Sequence, residues 1–305
     1  NLPVSGDEHI VAAGEHITLK YTIWNNATRQ DIFAMRVDVE DQAGWIVHQP
    51  TRPDAVLNPG ATTTFEVVVE VPADARADEQ GPTITPVIES KRSLMEIQGE
   101  PYSGLTVESV NDLALTLVDA PTKLRPGQPN ELQWTITNHG NGAANARLMM
   151  VDLPADWSWW VAVEGSNTTD PVPLGASFDE NHEQQVSLYL SIPLSVPAGS
   201  IHTITVHVMT NGNEPDATPE DNAVEVVMST EAIRVPSLEL VDHSTTAMAG
   251  GTISAQAVVR NDGNAPESTL LSVGRVSSTP PIPGMVVFYS VEGADQPLAL
   301  SLIHI

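Results

Sequence analysis

Apolar and polar residues alternate with a period of two along several short stretches of the chain, and three of these stretches superpose without gaps. In each one a Leu precedes a Gly by 12 residues, and the Gly precedes an Asn by 11 residues. The three sets are Leu2–Gly14–Asn25, Leu115–Gly127–Asn138 and Leu238–Gly250–Asn261. Alternation of this length predicts a half-buried β-strand, which begins after the Gly and ends at the Asn in a turn.

The first two copies of this repeat continue in step. Trp45 and Trp157 follow the closing Asn by 20 and 19 residues, and we match Val71–Ala73 in the first copy to Val196–Ala198 in the second. Each copy then holds about seven short strands in roughly 110–125 residues, with turn residues between them. This pattern predicts an all-β protein built of tandem immunoglobulin-like β-sandwiches with antiparallel strands.

The repeat divides the chain into three predicted modules, at residues 1–109, 110–235 and 236–305. We expect the third to be an incomplete sandwich and the first to begin inside its own first strand. No Gly/Ser-rich run separates the modules, so we expect them to be joined stiffly. The chain begins without an initiator Met or a signal peptide, and residues 301–305 resemble a translated sequencing adapter. We therefore expect a fragment of a longer protein.

The charge of the chain limits which classes of partner it can bind. Its 305 residues include 39 acidic and 13 basic side chains, a formal net charge of −26. The three predicted modules carry −10, −12 and −4, so the excess is spread along the chain. Such a surface argues against a nucleic-acid partner and favours an extracellular or cell-surface location, where salt screens the charge. No apolar run is long enough to span a membrane, and without Cys there is no disulfide or Cys nucleophile.

Motifs for catalysis are missing from the sequence. It contains no nucleophile elbow, no His-Glu-x-x-His zinc motif, no phosphate-binding glycine loop and no dinucleotide fingerprint. His202 and His207 lie five positions apart on one predicted strand, so they face opposite sides of the sheet and cannot share a metal. The sequence therefore predicts a protein that is not an enzyme, with no catalytic or cofactor-binding residues.

One acidic turn is a candidate metal site. Its candidate ligands are Asp216, Glu220, Asp221 and Asn222. Ca²⁺ takes six to eight oxygen ligands, which Asp, Glu and Asn side chains supply, although the run lacks the spacing of an EF-hand. The alternative is a solvated acidic turn that binds no metal, in which case the chain needs no cofactor.

An aromatic run, Trp157–Trp160, is a candidate carbohydrate site. Trp157 aligns with Trp45 of the first repeat, which predicts that both lie in a sandwich core. In an extended segment Trp159 shares the face of Trp157, whereas Trp160 points the other way and could stack on a sugar ring. The alternative for Trp160 is packing against a loop or a neighbouring module.

Two Asn-x-Thr sequons begin at Asn26 and Asn167, both in predicted loops. Two sequons are no more than this composition produces by chance. They mark only where glycans would be attached.

Several short motifs together resemble one family. They are Leu124–Gly127, Leu153–Trp157, Val196–Gly199 and the acidic turn at 211–222, in addition to the strands that end in Asn-x-Gly. This set resembles the immunoglobulin-like modules called cell-adhesion-related domains, which occur in prokaryotic surface proteins and beside secreted glycosidases. The first module departs from the pattern, because its corresponding segment, residues 90–99, lacks the acidic cluster.

The resemblance and the repeat imply two functions. The first is a non-enzymatic structural or adhesive stalk in a cell-surface or secreted protein, with neighbouring modules and a cell-surface protein or glycan as partners. The second is a carbohydrate- or protein-binding accessory region of a secreted hydrolase whose catalytic domain lies outside this chain. Fold alone does not decide between them.

Overall fold

Strands make up almost all of the regular structure. The computed structural model describes residues 9–210, 215–243, 246 and 255–267. Within these residues the only helix is one 3-10 turn, Pro219–Asp221, and no helix there is long and apolar enough to cross a membrane. The predicted fold class, tandem immunoglobulin-like β-sandwiches, is confirmed.

The first module packs two antiparallel sheets face to face. Its strands are β1 (His9–Val11), β2 (His16–Trp24), β3 (Asp31–Glu40), β4 (Ile46–Val47), β5 (Asp54–Leu57), β6 (Thr62–Glu70), β7 (Thr83–Ser90), β8 (Glu96–Gln98) and β9 (Leu105–Val107). One sheet has the order β2-β6-β4 and the other β5-β3-β7-β8. Alternate apolar side chains of both sheets fill the space between them, and Trp45 is only 1% exposed there.

The second module repeats this plan with longer sheets. Its strands are β10 (Leu113–Asp119), β11 (Lys123–Leu124), β12 (Pro129–Asn138), β13 (Ala144–Val151), β14 (Ser158–Val163), β15 (Ser166–Thr168), β16 (Val172–Leu174), β17 (Glu183–Ser191), β18 (Ile201–Thr210) and β19 (Ala223–Thr230). The sheet orders are β10-β12-β17-β14-β15 and β11-β19-β18-β13-β16. Trp134 is fully buried between the sheets and Trp157 is 9% exposed, so the expected core position of Trp157 is confirmed.

The structure adds short strands that the alternating pattern does not reveal. β4 and β11 have two residues each, and β8 and β15 have three, which is too short for a period of two to be recognised. Two short pairings are also parallel, β1 with β9 and β11 with β19, where the start of each module lies beside its last strand. The main strands of both sandwiches pair antiparallel, as predicted.

The described strands of the third segment are β20 (Pro236–His243) and β21 (Ala255–Asn261), which pair antiparallel. Their register shifts between Leu240 and Asp242, and β10 and β12 show the same shift between Leu117 and Asp119. The repeat is therefore structural as well as sequential. The expectations for residues 1–8, for Gly250 and for residues 268–305 lie outside the described residues.

One step of the repeat was matched in the wrong register. Val71–Ala73 does not correspond to Val196–Ala198, because the equivalent proline of the second module is Pro193. The carbonyls of Pro72 and Pro193 each accept a hydrogen bond at 3.2 Å from the amide three residues later, Ala75 in one case and Val196 in the other. Two Val-Pro steps four residues apart look alike in sequence, and only the hydrogen bonds distinguish them.

The Asn that closes each repeat strand organises the turn after it. In all three copies the side-chain Oδ1 accepts a bond from the amide two residues later and Nδ2 donates to the carbonyl four residues later: Asn25 with Ala27 and Arg29, Asn138 with Gly140 and Gly142, Asn261 with Gly263 and Ala265. Asn25 and Asn138 also donate across the sandwich, to the carbonyls of Leu57 and Gly175. Both side chains are only 1% exposed.

Replacing Asn138 by Ala should destabilise the second module by about 2 to 4 kcal/mol, because buried backbone groups lose their partners. Denaturant unfolding of the full chain, followed by tryptophan fluorescence, measures the loss. Asn145→Ala is the matched control, since Asn145 lies exposed on β13 in the same module. Equal stability of the two variants would contradict the role of Asn138.

Candidate functional site

The acidic turn of the second module lies against the start of that module. Asp216 holds it there, because Oδ2 accepts a hydrogen bond from Leu113 N at 2.9 Å and Oδ1 accepts one from Thr218 N at 3.0 Å. Ala217 N also donates to the carbonyl of Asn111 at 2.8 Å. The turn between β18 and β19 and the first residues of β10 therefore form one unit.

Three carboxylates meet in this unit. Ligand oxygens of Asp112, Asp216 and Asp221 all lie within 4.8 Å of one another. The Oδ1 atoms of Asp112 and Asp221 are buried and have no hydrogen-bond partner. Burial raises the pKa of Asp221, and the negative charges of Asp112 and Asp216 raise it further. The cluster is therefore a concentration of negative charge with too few donors around it.

The structure brings together some of the predicted metal ligands and adds one. Asp216 and Asp221 lie in the cluster, and the adjacent Asn222 has a buried Oδ1 without a partner. Glu220 lies in the 3-10 turn beside Asp221, but it is exposed and is not a member of the cluster. Sequence reasoning missed Asp112, which lies far upstream. Asp112 reaches the acidic turn only because the start of β10 is hydrogen-bonded to Asp216 and Ala217 of that turn.

The cluster offers only oxygen atoms as ligands, and this determines which metal ions it could bind. Three carboxylates suit a hard divalent cation such as Ca²⁺, which prefers oxygen ligands. A cation would offset the mutual repulsion that raises the pKa of Asp221. No nucleophile with an adjacent base lies among the cluster residues, so the arrangement favours binding over catalysis.

Trp160 lies on β14 and faces away from the core, as predicted, whereas Trp159 packs against the core. Trp160 is half-buried, and its ring stacks on Tyr189 with centroids 5.4 Å apart and an angle of 15° between the planes. One face of the ring is therefore already covered by an aromatic neighbour. Whether the other face binds a sugar stays a prediction.

The two sequons differ in their surroundings. Asn26 is exposed in the turn after β2, where a loop was predicted. Asn167 is also exposed, but it lies on the edge strand β15 and pairs with Ala162, so its placement in a loop was wrong. A strand of three residues gives no alternating pattern to recognise.

His202 is the inward-facing histidine of β18. Its Nε2 lies 2.9 Å from Thr230 Oγ1, and its ring meets Trp157 edge-on with centroids 4.9 Å apart. Partial burial lowers the pKa of His202, so the ring is neutral in the folded module at pH 7. His207 lies on the opposite side of the strand, as the spacing predicts.

Comparisons with known proteins give only distant similarities. No family model and no curated protein sequence matches the chain. The cadherin-like domains 1 to 4 of zebrafish RET are 10% identical over 72% of this chain and 53% of that one, with a TM-score of 0.29. This chain therefore spans about half the length of that structure.

Two bacterial structures show similarity of the same order. The C-terminal domain of the Streptococcus pyogenes antigen I/II-family protein AspA is 10% identical over 74% of this chain and 95% of that one, with a TM-score of 0.26. The Salmonella enterica SafA pilin in complex with the SafB chaperone is 13% identical over 74% and 94%, with a TM-score of 0.25. Similarity at this level does not extend to function.

Asp221→Asn should raise the melting temperature by a few degrees at neutral pH without divalent cations. The raised pKa of Asp221 means that its charged form destabilises the folded state above that pKa. As the pH falls through that pKa, the wild-type carboxyl becomes neutral and the advantage of the variant should shrink. Calorimetric scans of both proteins across the acid range test this.

Glu220→Gln is the matched control for this experiment. It removes one carboxylate from the same turn but outside the cluster. If Glu220→Gln raises the melting temperature as much as Asp221→Asn does, general charge reduction explains the effect. The clustering of the three carboxylates would then not destabilise the folded state.

Proposed function

We propose that the chain is a non-enzymatic structural stalk of a cell-surface or secreted protein. The observation that carries the proposal is that the second module contacts its two neighbours through opposite ends. Its turn at 138–142 contacts the loop at 75–77 of the first module, and its loop at 196–198 contacts Asn264 of the third segment. Modules joined at opposite ends extend a chain instead of folding it back.

Charge and chemistry support the same proposal. The net charge of −26 keeps modules from adhering to one another, and salt outside the cell screens it. The described residues contain no set of groups arranged for catalysis, which favours a spacer or an adhesive element over an enzyme. The motif from Leu153 to Trp157 supports modules of the cell-adhesion-related kind. An accessory region of a secreted hydrolase is the alternative, and glycan binding that depends on Trp160 would favour it.

The stalk predicts an elongated molecule in solution. A compact globule of this length would have a radius of gyration of about 19 Å, and we expect a value well above that. Small-angle X-ray scattering of the full chain measures it, and the pair-distance distribution should have a long tail. A radius near that of the globule would contradict end-to-end modules.

The acidic cluster suggests a second function, which we propose as Ca²⁺ binding by Asp112, Asp216, Asp221 and Asn222. The buried, unpartnered oxygens of three of these residues favour it over a solvated turn. A cation that binds only the folded module stabilises it by about 2.7 kcal/mol at a hundredfold excess over the dissociation constant.

Calorimetric titration with Ca²⁺, paired with melting curves, tests the cluster. Wild type and Glu220→Gln should bind and gain melting temperature, whereas Asp221→Asn should do neither. An absence of heat and of stabilisation in the wild type would eliminate the site. It would leave the stalk proposal untouched, because module geometry does not depend on the cation.

A further inference from the structure

The turn Asn138–Asn141 carries two Asn residues with different tasks. Asn138 bonds within its own module, whereas Asn141 reaches the first module and the linker. Its Nδ2 donates to the carbonyls of Glu108 at 2.8 Å and Ala75 at 3.5 Å, and its Oδ1 accepts from Val110 N at 2.9 Å. The backbone carbonyl of Asn141 also accepts from an amide of the first module, Ala77 N, at 3.1 Å. Asn141 is 9% exposed.

The second junction is built in the same way. Asn264 Nδ2 donates to the carbonyls of Glu231 at 2.8 Å and Val196 at 3.0 Å, and Oδ1 accepts from Ile233 N at 2.6 Å. The carbonyl of Asn264 accepts from Ala198 N at 3.0 Å. Each bond of Asn141 at the first junction therefore has its counterpart in a bond of Asn264 at the second.

A glycine precedes the docking Asn at both junctions, and close approach requires it. A Cβ added at Gly140 would overlap the carbonyl oxygen of Val110, and a Cβ at Gly263 would overlap that of Ile233. Neither glycine has a left-handed φ, so backbone conformation does not explain why glycine is needed at these positions. Glycine is needed because the linker occupies the space that a Cβ would take.

The first module supplies an internal comparison. Its turn keeps the organising Asn25 with the same two bonds, but Ala27 and Thr28 stand where Gly140 and Asn141 stand in the second module. The turn therefore forms without the glycine and the second Asn. At both described junctions, by contrast, the second Asn bonds to the preceding module and its linker.

Among the described residues, an ion pair between modules is present at the first junction and not at the second. Arg76 of the first module donates from Nη1 and Nη2 to the two carboxylate oxygens of Asp179, at 3.1 and 2.6 Å, and lies over the ring of Phe178. Pro197 takes the place of Arg76 in the second module's loop, as the shared bonds of Ala75 and Val196 show. The ion pair is therefore specific to the first junction, whereas the contact of the Gly-Asn pair is common to both junctions.

We propose that the Asn-x-Gly-Asn turn is a docking site for the C-terminal end of a preceding module and fixes one orientation at every junction that it forms. The docking Asn bonds only to backbone groups of its partner. At the first junction these are the carbonyls of Ala75 and Glu108 and the amides of Ala77 and Val110. The recognition is independent of the partner's side chains, so the same turn serves two junctions of different sequence. The proposal goes beyond the stalk function, because a fixed orientation is not needed for a spacer.

Distance measurement between modules tests the proposal. The chain has no Cys, so Thr18→Cys on β2 and Glu225→Cys on β19, both exposed, provide two unique sites for spin labels. Pulsed electron paramagnetic resonance on the full chain should give one narrow distance. Asn141→Ala and Gly140→Ala should each lose this narrow distance and broaden the distribution, with the modules themselves still folded by near-ultraviolet circular dichroism.

Asn264→Ala is the matched control, since it removes the same contact from the other junction and should leave the labelled distance narrow. If Asn141→Ala fails to fold, Asn141→Asp replaces it, because that side chain still accepts from Val110 N but can no longer donate. A narrow distance that survives Gly140→Ala and the Asn141 variant would overturn the proposal. So would a broad distribution in the wild type.

Discussion

A single side-chain amide holds the end of each sandwich together, and the rest of the structure depends on it. Where β12 ends, the chain must cross from one sheet to the other, and the backbone groups of the crossing have no strand to pair with. Asn138 supplies three bonds there, to Gly140, Gly142 and Gly175, and so ties the crossing to the loop before β17. Asn25 makes the corresponding three bonds, the third to the carbonyl of Leu57, and Asn261 repeats the two within its turn. A side chain with both a donor and an acceptor is required, which Leu or Asp in that position would not provide.

The conformation of this crossing also determines how the linker before the module packs against it. Once Asn138 sets the turn, the backbone at Gly140 presents a flat surface without a Cβ, and the linker carbonyl of Val110 rests against it. The next residue, Asn141, is only 9% exposed and bonds to two linker groups, the amide of Val110 and the carbonyl of Glu108. Order within a module and order between modules are therefore encoded in one stretch of four residues.

The sequence predicted the features that repeat and missed those that depend on distant segments meeting. Long strands such as β6 and β17 were predictable because burial on one face imposes alternation, and the core position of Trp157 followed from its alignment with Trp45. Asp112 was not predictable as a member of the acidic cluster, since nothing local links it to Asp221. The Val71–Ala73 match failed for a related reason: a proline step can recur a turn later, and only its hydrogen bonds identify the equivalent one.

The acidic cluster and the docked junction share a short segment of chain, residues 110–113. Asp112 follows two residues after Val110, whose amide bonds to Asn141, and the carbonyl of Asp112 accepts from His139 N at 2.7 Å. Docking thus holds in place the residue that brings a third carboxylate to Asp216 and Asp221. Burial raises the pKa of Asp221, and the repulsion from Asp112 and Asp216 raises it further. Linkage is reciprocal: a cation that relieves this repulsion favours the docked linker, and the docked linker favours the cation by the same factor. The third segment has Val235 in the position of Asp112, so its junction keeps the docking contacts without a carboxylate at that position.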